Sequence, residues 1–205
     1  MTNTAQICSQ CGWAFDTAAL RANTCMKCNS AMLVTSVAYL EKFEKPAIHK
    51  YIAQYTTALK ANPQDADALL AVGICYIQLG LFDLADKFLQ RLIDTDPASA
   101  AGYYYRSICL FRGKRPRCVS LTVAREAERL VSTAMELDPA NGRNDWLLGA
   151  IRHDYYVVNG MTVPPPDPDA LLESASQKHV DQLEIEQACR LLKMQDNPQW
   201  GRSCS

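Results

Sequence analysis

The sequence predicts an all-α fold built from helical hairpins, preceded by a short cysteine-rich segment. Beyond about residue 35, apolar residues recur every three or four positions, as on one face of a helix, and runs of alternating polarity are few. Pro63 and Pro97 are 34 residues apart, and each follows an apolar stretch and a short polar step. Pro139 repeats the pattern 42 residues later. Recurrence with this period indicates stacked helix–turn–helix units.

The cysteine-rich segment contains two C-x-x-C pairs, Cys8 with Cys11 and Cys25 with Cys28, separated by thirteen residues. Four thiolates in this spacing suit the tetrahedral coordination of Zn²⁺. All four metal positions would be filled by protein, so the predicted site is structural and not catalytic. The segment, residues 1–33, resembles a zinc ribbon. The alternatives are an iron site of the rubredoxin type and two unrelated pairs of reduced thiols.

The strongest repeat signal lies in residues 66–99. The positions that fit a common pattern are Leu69, Val72, Gly73, Tyr76, Gly80, Phe82, Ala85, Leu89, Leu92 and Pro97. The small residues Gly73 and Ala85 matter most, because paired helices approach closely only where side chains are small. On these positions the unit resembles a tetratricopeptide repeat.

The neighbouring units fit less well, and we predict repeats of this kind over residues 34–160. A first helix is expected around residues 33–45, ended by Pro46, and a later one over residues 100–112. The resemblance implies that successive repeats stack into a right-handed superhelix with a concave inner face.

The last part of the chain is expected to cap the repeats. Asp167 followed by Pro168 predicts a helix start, with a carboxylate at the N-cap and a proline at the first helical position. Two amphipathic helices are predicted within residues 161–194, and residues 195–205 are expected to form a flexible tail.

Composition narrows the class of protein. The chain has 205 residues, 48% hydrophobic residues and a formal net charge of −1, which predicts no general attraction to nucleic acid or to an anionic membrane. No stretch approaches the roughly 18 apolar residues of a membrane span, and the N-terminus lacks a secretory signal pattern. Nine cysteines, four of them in metal-ligand spacing, favour a reducing compartment, so we predict a cytoplasmic protein.

The repeat resemblance implies a protein-binding groove. In tetratricopeptide proteins ligands usually lie along the concave face, and by position six residues would line it here: Leu70, Ile74, Ile77, Tyr104, Ile108 and Phe111. This apolar strip suits an amphipathic helix or an extended peptide of a partner protein. Alternatively, the same side chains contact adjacent helices or the chain's own C-terminal segment, or pair with a second copy in a homodimer.

A second candidate site is a run of basic residues in the loop after residue 111, which contains Arg112, Lys114, Arg115 and Arg117. Such a cluster could bind phosphate groups or an acidic surface, and with the zinc ribbon it would suit a module associated with nucleic acid. A solvated loop is the simpler interpretation. The acidic segment 167–186 could face these residues within one molecule or between copies.

Catalysis has little support in the sequence. His49, His153 and His179 are far apart, and no glycine-rich phosphate loop or nucleophile motif is present. Cys75 and Cys109 are 34 residues apart and are interpreted as small core residues. We therefore predict a non-enzymatic adaptor, with a thiol-based redox sensor as a third and weaker possibility.

Overall fold

The computed structural model describes residues 6–7, 14–15, 27, 33–41 and 43–196. These residues form two short strands followed by helices. The strands are β1 (Gln6–Ile7) and β2 (Ala14–Phe15), and the helices are α1 (Val37–Leu40), α2 (Lys45–Ala61), α3 (Ala66–Gln78), α4 (Phe82–Thr95), α5 (Ala100–Leu110), α6 (Leu121–Leu137), α7 (Gly142–Arg152), α8 (Pro168–Ser176) and α9 (Gln182–Leu191).

The two strands pair antiparallel, with Gln6 opposite Phe15 and Ile7 opposite Ala14. The zinc prediction falls on four cysteines that lie outside the described residues. Within the described ranges, no group of three or more His, Cys, Asp or Glu side chains is placed to hold a metal ion.

Most of the helices begin at a polar side chain that accepts a backbone N–H from the first turn. These N-cap residues are Ser36, Asp65, Ser99, Ser120, Asn141, Asp167 and Asp181. Each such cap typically stabilises a helix by about 1 kcal/mol. The predicted start at Asp167 is confirmed, since its carboxylate accepts the N–H of Ala170 at 2.9 Å and Pro168 opens α8.

The prediction of a long first helix over residues 33–45 is wrong. The described residues 33–41 contain the four-residue helix α1, and α2 begins at Lys45, so Pro46 lies in the first turn of a helix instead of ending one. Proline lacks an N–H and has a fixed φ, which suits it to the first turn of a helix, where no N–H partner is available.

Between α2 and α7, helices adjacent in sequence pack on each other in hairpins. In the α3–α4 hairpin, a methyl group added at Gly73 would lie 2.7 Å from Cδ2 of Leu89, so only glycine allows this approach. Gly80 takes a φ of +74° in the turn between the two helices, a conformation that glycine adopts without strain. Ala85 is fully buried in the same interface.

Helix α7 is buried along its whole length, from Gly142 to Arg152. It continues into a π-helical turn, His153–Val157. A methyl group added at Gly142 would lie 2.6 Å from the carbonyl oxygen of Ala175, and the Gly142 N–H donates to the carbonyl of His179 at 2.9 Å. The α8–α9 segment therefore lies directly against α7.

Across the described part of the chain, no helix combines the length and the apolar character that crossing a membrane requires.

Candidate protein-binding groove

Helices α3, α5 and α7 are the first helices of successive hairpins, and together they form one surface of the repeats, which other segments of the chain cover. Helices α3 and α5 contact each other. Helices α5 and α7 meet where the Arg143 guanidinium lies over the ring of Tyr104, 4.5 Å from its centroid. This is the surface on which the predicted groove residues lie.

The structure buries most of the predicted groove. Ile74, Ile77, Tyr104, Ile108 and Phe111 are all at most 2% exposed, and Leu70 is half-buried against the same core. The prediction that these residues line an open groove is corrected for the first five, because the chain's own packing covers them. Their contact with a partner protein stays a prediction.

One of the covering segments is the stretch 33–41, which contains α1. Its apolar residues Val34, Val37 and Leu40 are buried in the main core cluster. The hydroxyl of Tyr55, on α2, accepts the backbone N–H of Val34 at 3.1 Å. The hydroxyl of Tyr105, on α5, accepts the backbone N–H of Val37 at 3.4 Å. Both tyrosines thus bind the main chain of the segment.

Tyr39 adds a side-chain contact between this segment and α2. Its hydroxyl lies 3.4 Å from that of Tyr51, and its ring lies 5.3 Å from the ring of Phe43. Burial raises the pKa of Tyr39, Tyr51 and Tyr105. The hydroxyl groups therefore stay protonated over the whole physiological pH range and act as neutral hydrogen-bonding groups.

The second covering segment is α9, which contacts both α1 and α7. Ile185 and Ala188 are buried in the interface. A small space with room for about one water molecule remains between the two segments. Its lining includes Val37, Gln187 and Leu191 from the segments and Tyr105 from α5. At the solvent edge Arg190 of α9 pairs with Glu41 at 2.6 Å.

Buried charges hold the α8–α9 hairpin to α7. The Arg143 guanidinium donates to Oε2 of Glu184 on α9 at 2.7 Å, and both side chains are largely buried. The Asp145 carboxylate accepts bonds of 2.7 Å from Ser174 Oγ and from Lys178 Nζ. Arg152 adds a bond of 2.6 Å to the carbonyl of Pro166. Sequence analysis missed these pairs.

Two of the four predicted cations of the basic loop, Arg112 and Arg115, form ion pairs within the chain. Arg115 pairs with two carboxylates: that of Asp154, which is fully buried, at 2.8 Å, and that of Asp196 at 2.6 Å. The backbone N–H of Arg117 donates to the same Asp154 carboxylate at 3.1 Å. Arg115 therefore supports the fold of the loop, and a bound anion would have to compete with two carboxylates.

The other predicted anion-binding side chains are exposed. Arg112 pairs with Asp83 at 2.8 Å, and both groups are open to solvent. Within the described ranges, Lys114 and Arg117 form no ion pair, so two exposed cations remain of the predicted four. Within the acidic segment 167–186, Glu184 pairs with Arg143 on α7 and not with this loop.

The four cysteines within the described residues after position 33 differ in burial and bonding. Cys75 and Cys109 are buried and free, as predicted for core residues, and burial raises the pKa of Cys75 to about 12. Cys118 is free and exposed. Cys189 is buried and disulfide-bonded, so the expectation of reduced thiols throughout this region is wrong at that position.

Comparisons with known proteins found similarity to solved structures and to one family of repeats. A solved structure, the crystal structure of MamA, resembles the chain with 19% sequence identity and a TM-score of 0.48, covering 78% of this chain and 84% of that chain. No curated protein matches the sequence. Residues 52–105, which run from α2 into α5, match the family described as Tetratricopeptide repeat. This part of the chain is therefore similar to tetratricopeptide repeats in sequence as well as in its paired helices.

Proposed function

We propose that the chain is a non-enzymatic scaffold that binds another protein on the surface formed by α3, α5 and α7. The repeat match over residues 52–105 supports this class of function, since repeats of this kind commonly serve as protein-interaction surfaces. The observation that carries the proposal is that this surface, together with α2, already holds a short peptide segment, residues 33–41. It does so through apolar contacts and through hydrogen bonds to the main chain.

The bound segment shows what the surface can recognise. Val34, Val37 and Leu40 are spaced by three residues and are buried together; Val37 and Leu40 lie in α1, and Val34 precedes its N-cap, Ser36. Tyr55 and Tyr105 add bonds to backbone N–H groups, which any peptide sequence supplies. A partner peptide or amphipathic helix is therefore the ligand class that fits best.

The test is affinity purification of the tagged full chain from its own cells, in moderate salt and without chelator. The groove variant is Leu191→Arg, which places a charge at the half-buried edge of the cleft between α1 and α9. The matched control is Leu137→Arg, at an exposed leucine that ends α6. We expect the groove variant to lose partners that the control and the unmodified chain retain. Equal capture by all three proteins would exclude this surface as the docking site.

We further propose that Cys8, Cys11, Cys25 and Cys28 hold one structural Zn²⁺. The donor set fits the ion, because four thiolates in two C-x-x-C pairs complete a tetrahedral site. The pairing of β1 with β2 supports the proposal, since it brings together the residues that flank the first pair in the sequence. When bound, the ion would stabilise a segment too short to form a hydrophobic core.

Metal analysis of the purified chain tests this proposal. We expect about one zinc per chain, lost in Cys8→Ser and in Cys25→Ser but kept in Cys118→Ser, because Cys118 is a free exposed thiol in another part of the fold. Iron in place of zinc, or zinc that survives both ribbon substitutions, would contradict it.

The alternative prediction of a module associated with nucleic acid has less support. Arg115 is bound to two carboxylates and Arg112 is paired with Asp83, which leaves few cations to contact phosphates. Binding of that kind would weaken steeply with added salt, whereas an apolar groove would respond little.

A further inference from the structure

We propose that residues 33–41 act as an internal ligand that occupies the groove until a partner of the same chemistry displaces it. The inference rests on the proposed scaffold function and specifies the partner. The partner is a short peptide that forms one helical turn, with an apolar residue at position i before the turn, apolar residues at i+3 and i+6 within it, and an acidic residue at i+7. These positions correspond to Val34, Val37, Leu40 and Glu41.

The first argument is the length of α1. It comprises four residues, with one side-chain cap in which the Ser36 hydroxyl accepts the N–H of Tyr39 at 3.3 Å. A helix of one turn does not form alone in water, because nucleation is unfavourable. The conformation of this segment is therefore imposed by the surface beneath it, as for a peptide that folds on binding.

The second argument is the kind of contact that holds the segment. Apolar side chains and neutral hydrogen bonds to Tyr55 and Tyr105 can be reproduced by any peptide that places similar groups at the same spacing. The segment also lies at the end of the repeats that precedes α2, so it can leave without breaking a helical hairpin of the repeats. By contrast, α9 is tied to α7 through the buried pair of Glu184 with Arg143.

The third argument is charge. The only ion pair of the described part of the segment joins Glu41 to Arg190, and its side chains are 37% and 41% exposed. An exposed pair contributes little to stability, and water can replace either partner at low cost. The same Arg190 would attract an acidic residue of an incoming peptide, which explains the acidic position in the proposed pattern.

Internal occupancy predicts a particular binding behaviour. A site that is open only part of the time shows an apparent affinity reduced in proportion to its open fraction. Any change that loosens residues 33–41 without altering the groove must then strengthen the binding of a peptide added in trans.

The experiment uses the full chain and a labelled synthetic peptide of residues 33–41, with binding followed by fluorescence anisotropy. In the chain, Glu41→Lys places a cation beside Arg190 and leaves the groove unchanged. We expect the peptide to bind this variant roughly two- to fivefold more tightly than it binds the unmodified chain, because the variant has lost an exposed ion pair. Val37→Asp should open the groove further, giving roughly tenfold tighter binding or more, because a charge cannot stay in that buried apolar position.

Two controls make the result specific. Glu126→Lys reverses the charge of another exposed ion pair, with Arg129 on α6, and should leave peptide binding unchanged. A peptide carrying Val37→Asp and Leu40→Asp should not bind any of the chains. Circular dichroism confirms that each variant is folded, and Glu41→Lys alone decides the question if Val37→Asp does not fold.

The proposal is overturned if the peptide binds the unmodified chain and Glu41→Lys equally, which indicates another site. It is also overturned if the peptide binds neither chain. In either case, partner capture that still depends on Leu191 would preserve the scaffold function. If instead the peptide binds as expected but the chain captures no partner from cells, residues 33–41 remain an internal ligand and the proposed partner is excluded.

Discussion

Helices α1 and α9 cover the same surface of the repeats, but the chain holds them by different means. α9 carries Glu184, whose carboxylate meets the Arg143 guanidinium at 2.7 Å in a largely buried pair. The segment 33–41, which contains α1, is attached by apolar contacts, by neutral hydrogen bonds to the hydroxyls of Tyr55, Tyr105 and Tyr51, and by the exposed pair of Glu41 with Arg190. The two helices therefore differ in how they can separate from the repeats.

The difference follows from the energetics of buried charge. Removing one member of a buried ion pair leaves a charge without compensation, which is far more costly than losing a neutral contact. The pair on α9 consequently resists partial opening, and α9 forms a fixed wall of the groove. The contacts of α1 weaken one at a time, so α1 is the removable element. The predictions below test this distinction.

The largest effect is expected for Arg143→Met. The substitution keeps much of the apolar volume but leaves the Glu184 carboxylate buried without its partner and removes the cation from the ring of Tyr104. We expect the free energy of unfolding to fall by about 3–5 kcal/mol. Urea denaturation followed by circular dichroism measures the change.

The double variant Arg143→Met with Glu184→Leu is the control for this prediction. It removes both charges, so most of the lost stability should return. If the double variant is no more stable than the single one, the cost arises from packing around Arg143 and not from the unpaired carboxylate. The buried ion pair would then not distinguish the attachment of α9 from that of α1.

The parts of this fold that were predictable from sequence depend on local patterns. The spacing of small and apolar residues in residues 66–99 predicts the α3–α4 hairpin, and the close contact between Gly73 and Leu89 gives the physical reason. Asp167 and Pro168 predict the start of α8 through capping chemistry that acts within four residues. Structural features that depend on residues close together in the chain can therefore be predicted from the local sequence.

The covering of the groove was not predictable in the same way. The segment 33–41 and α9 come from opposite ends of the described chain, and hydrophobic periodicity does not reveal which distant segments meet. Arg143 and Asp145 have the polarity of an exposed helix face, yet their partners Glu184 and Lys178 lie 41 and 33 residues further along. One available signal was the scatter of polar residues all around α7, because a helix without a continuous polar face has no side suited to solvent.

The smaller effect is expected for a leucine of α1. Leu40 in α1 and Leu171 in α8 are both almost completely buried, so simple burial predicts similar losses when either is changed to alanine. For Leu171→Ala we expect the usual loss of about 2–5 kcal/mol in the free energy of unfolding. For Leu40→Ala we expect a loss below that range, because α1 separates from the groove before the rest of the chain unfolds. Once it has separated, further weakening of its contacts no longer affects the global transition.

Hydrogen exchange measured by mass spectrometry distinguishes this explanation from poor packing at Leu40. If α1 opens locally, Leu40→Ala should speed exchange in residues 33–41, including the N–H groups that bind Tyr55 and Tyr105, and leave α3 and α5 protected. Leu171→Ala should instead speed exchange in the α8–α9 hairpin through unfolding of the whole fold and not through local opening. Equal losses of stability for the two leucines, with equally spread exchange, would mean that α1 is as permanent a part of the fold as α8. An added peptide would then find no groove to enter, because residues 33–41 would leave only when the molecule unfolds.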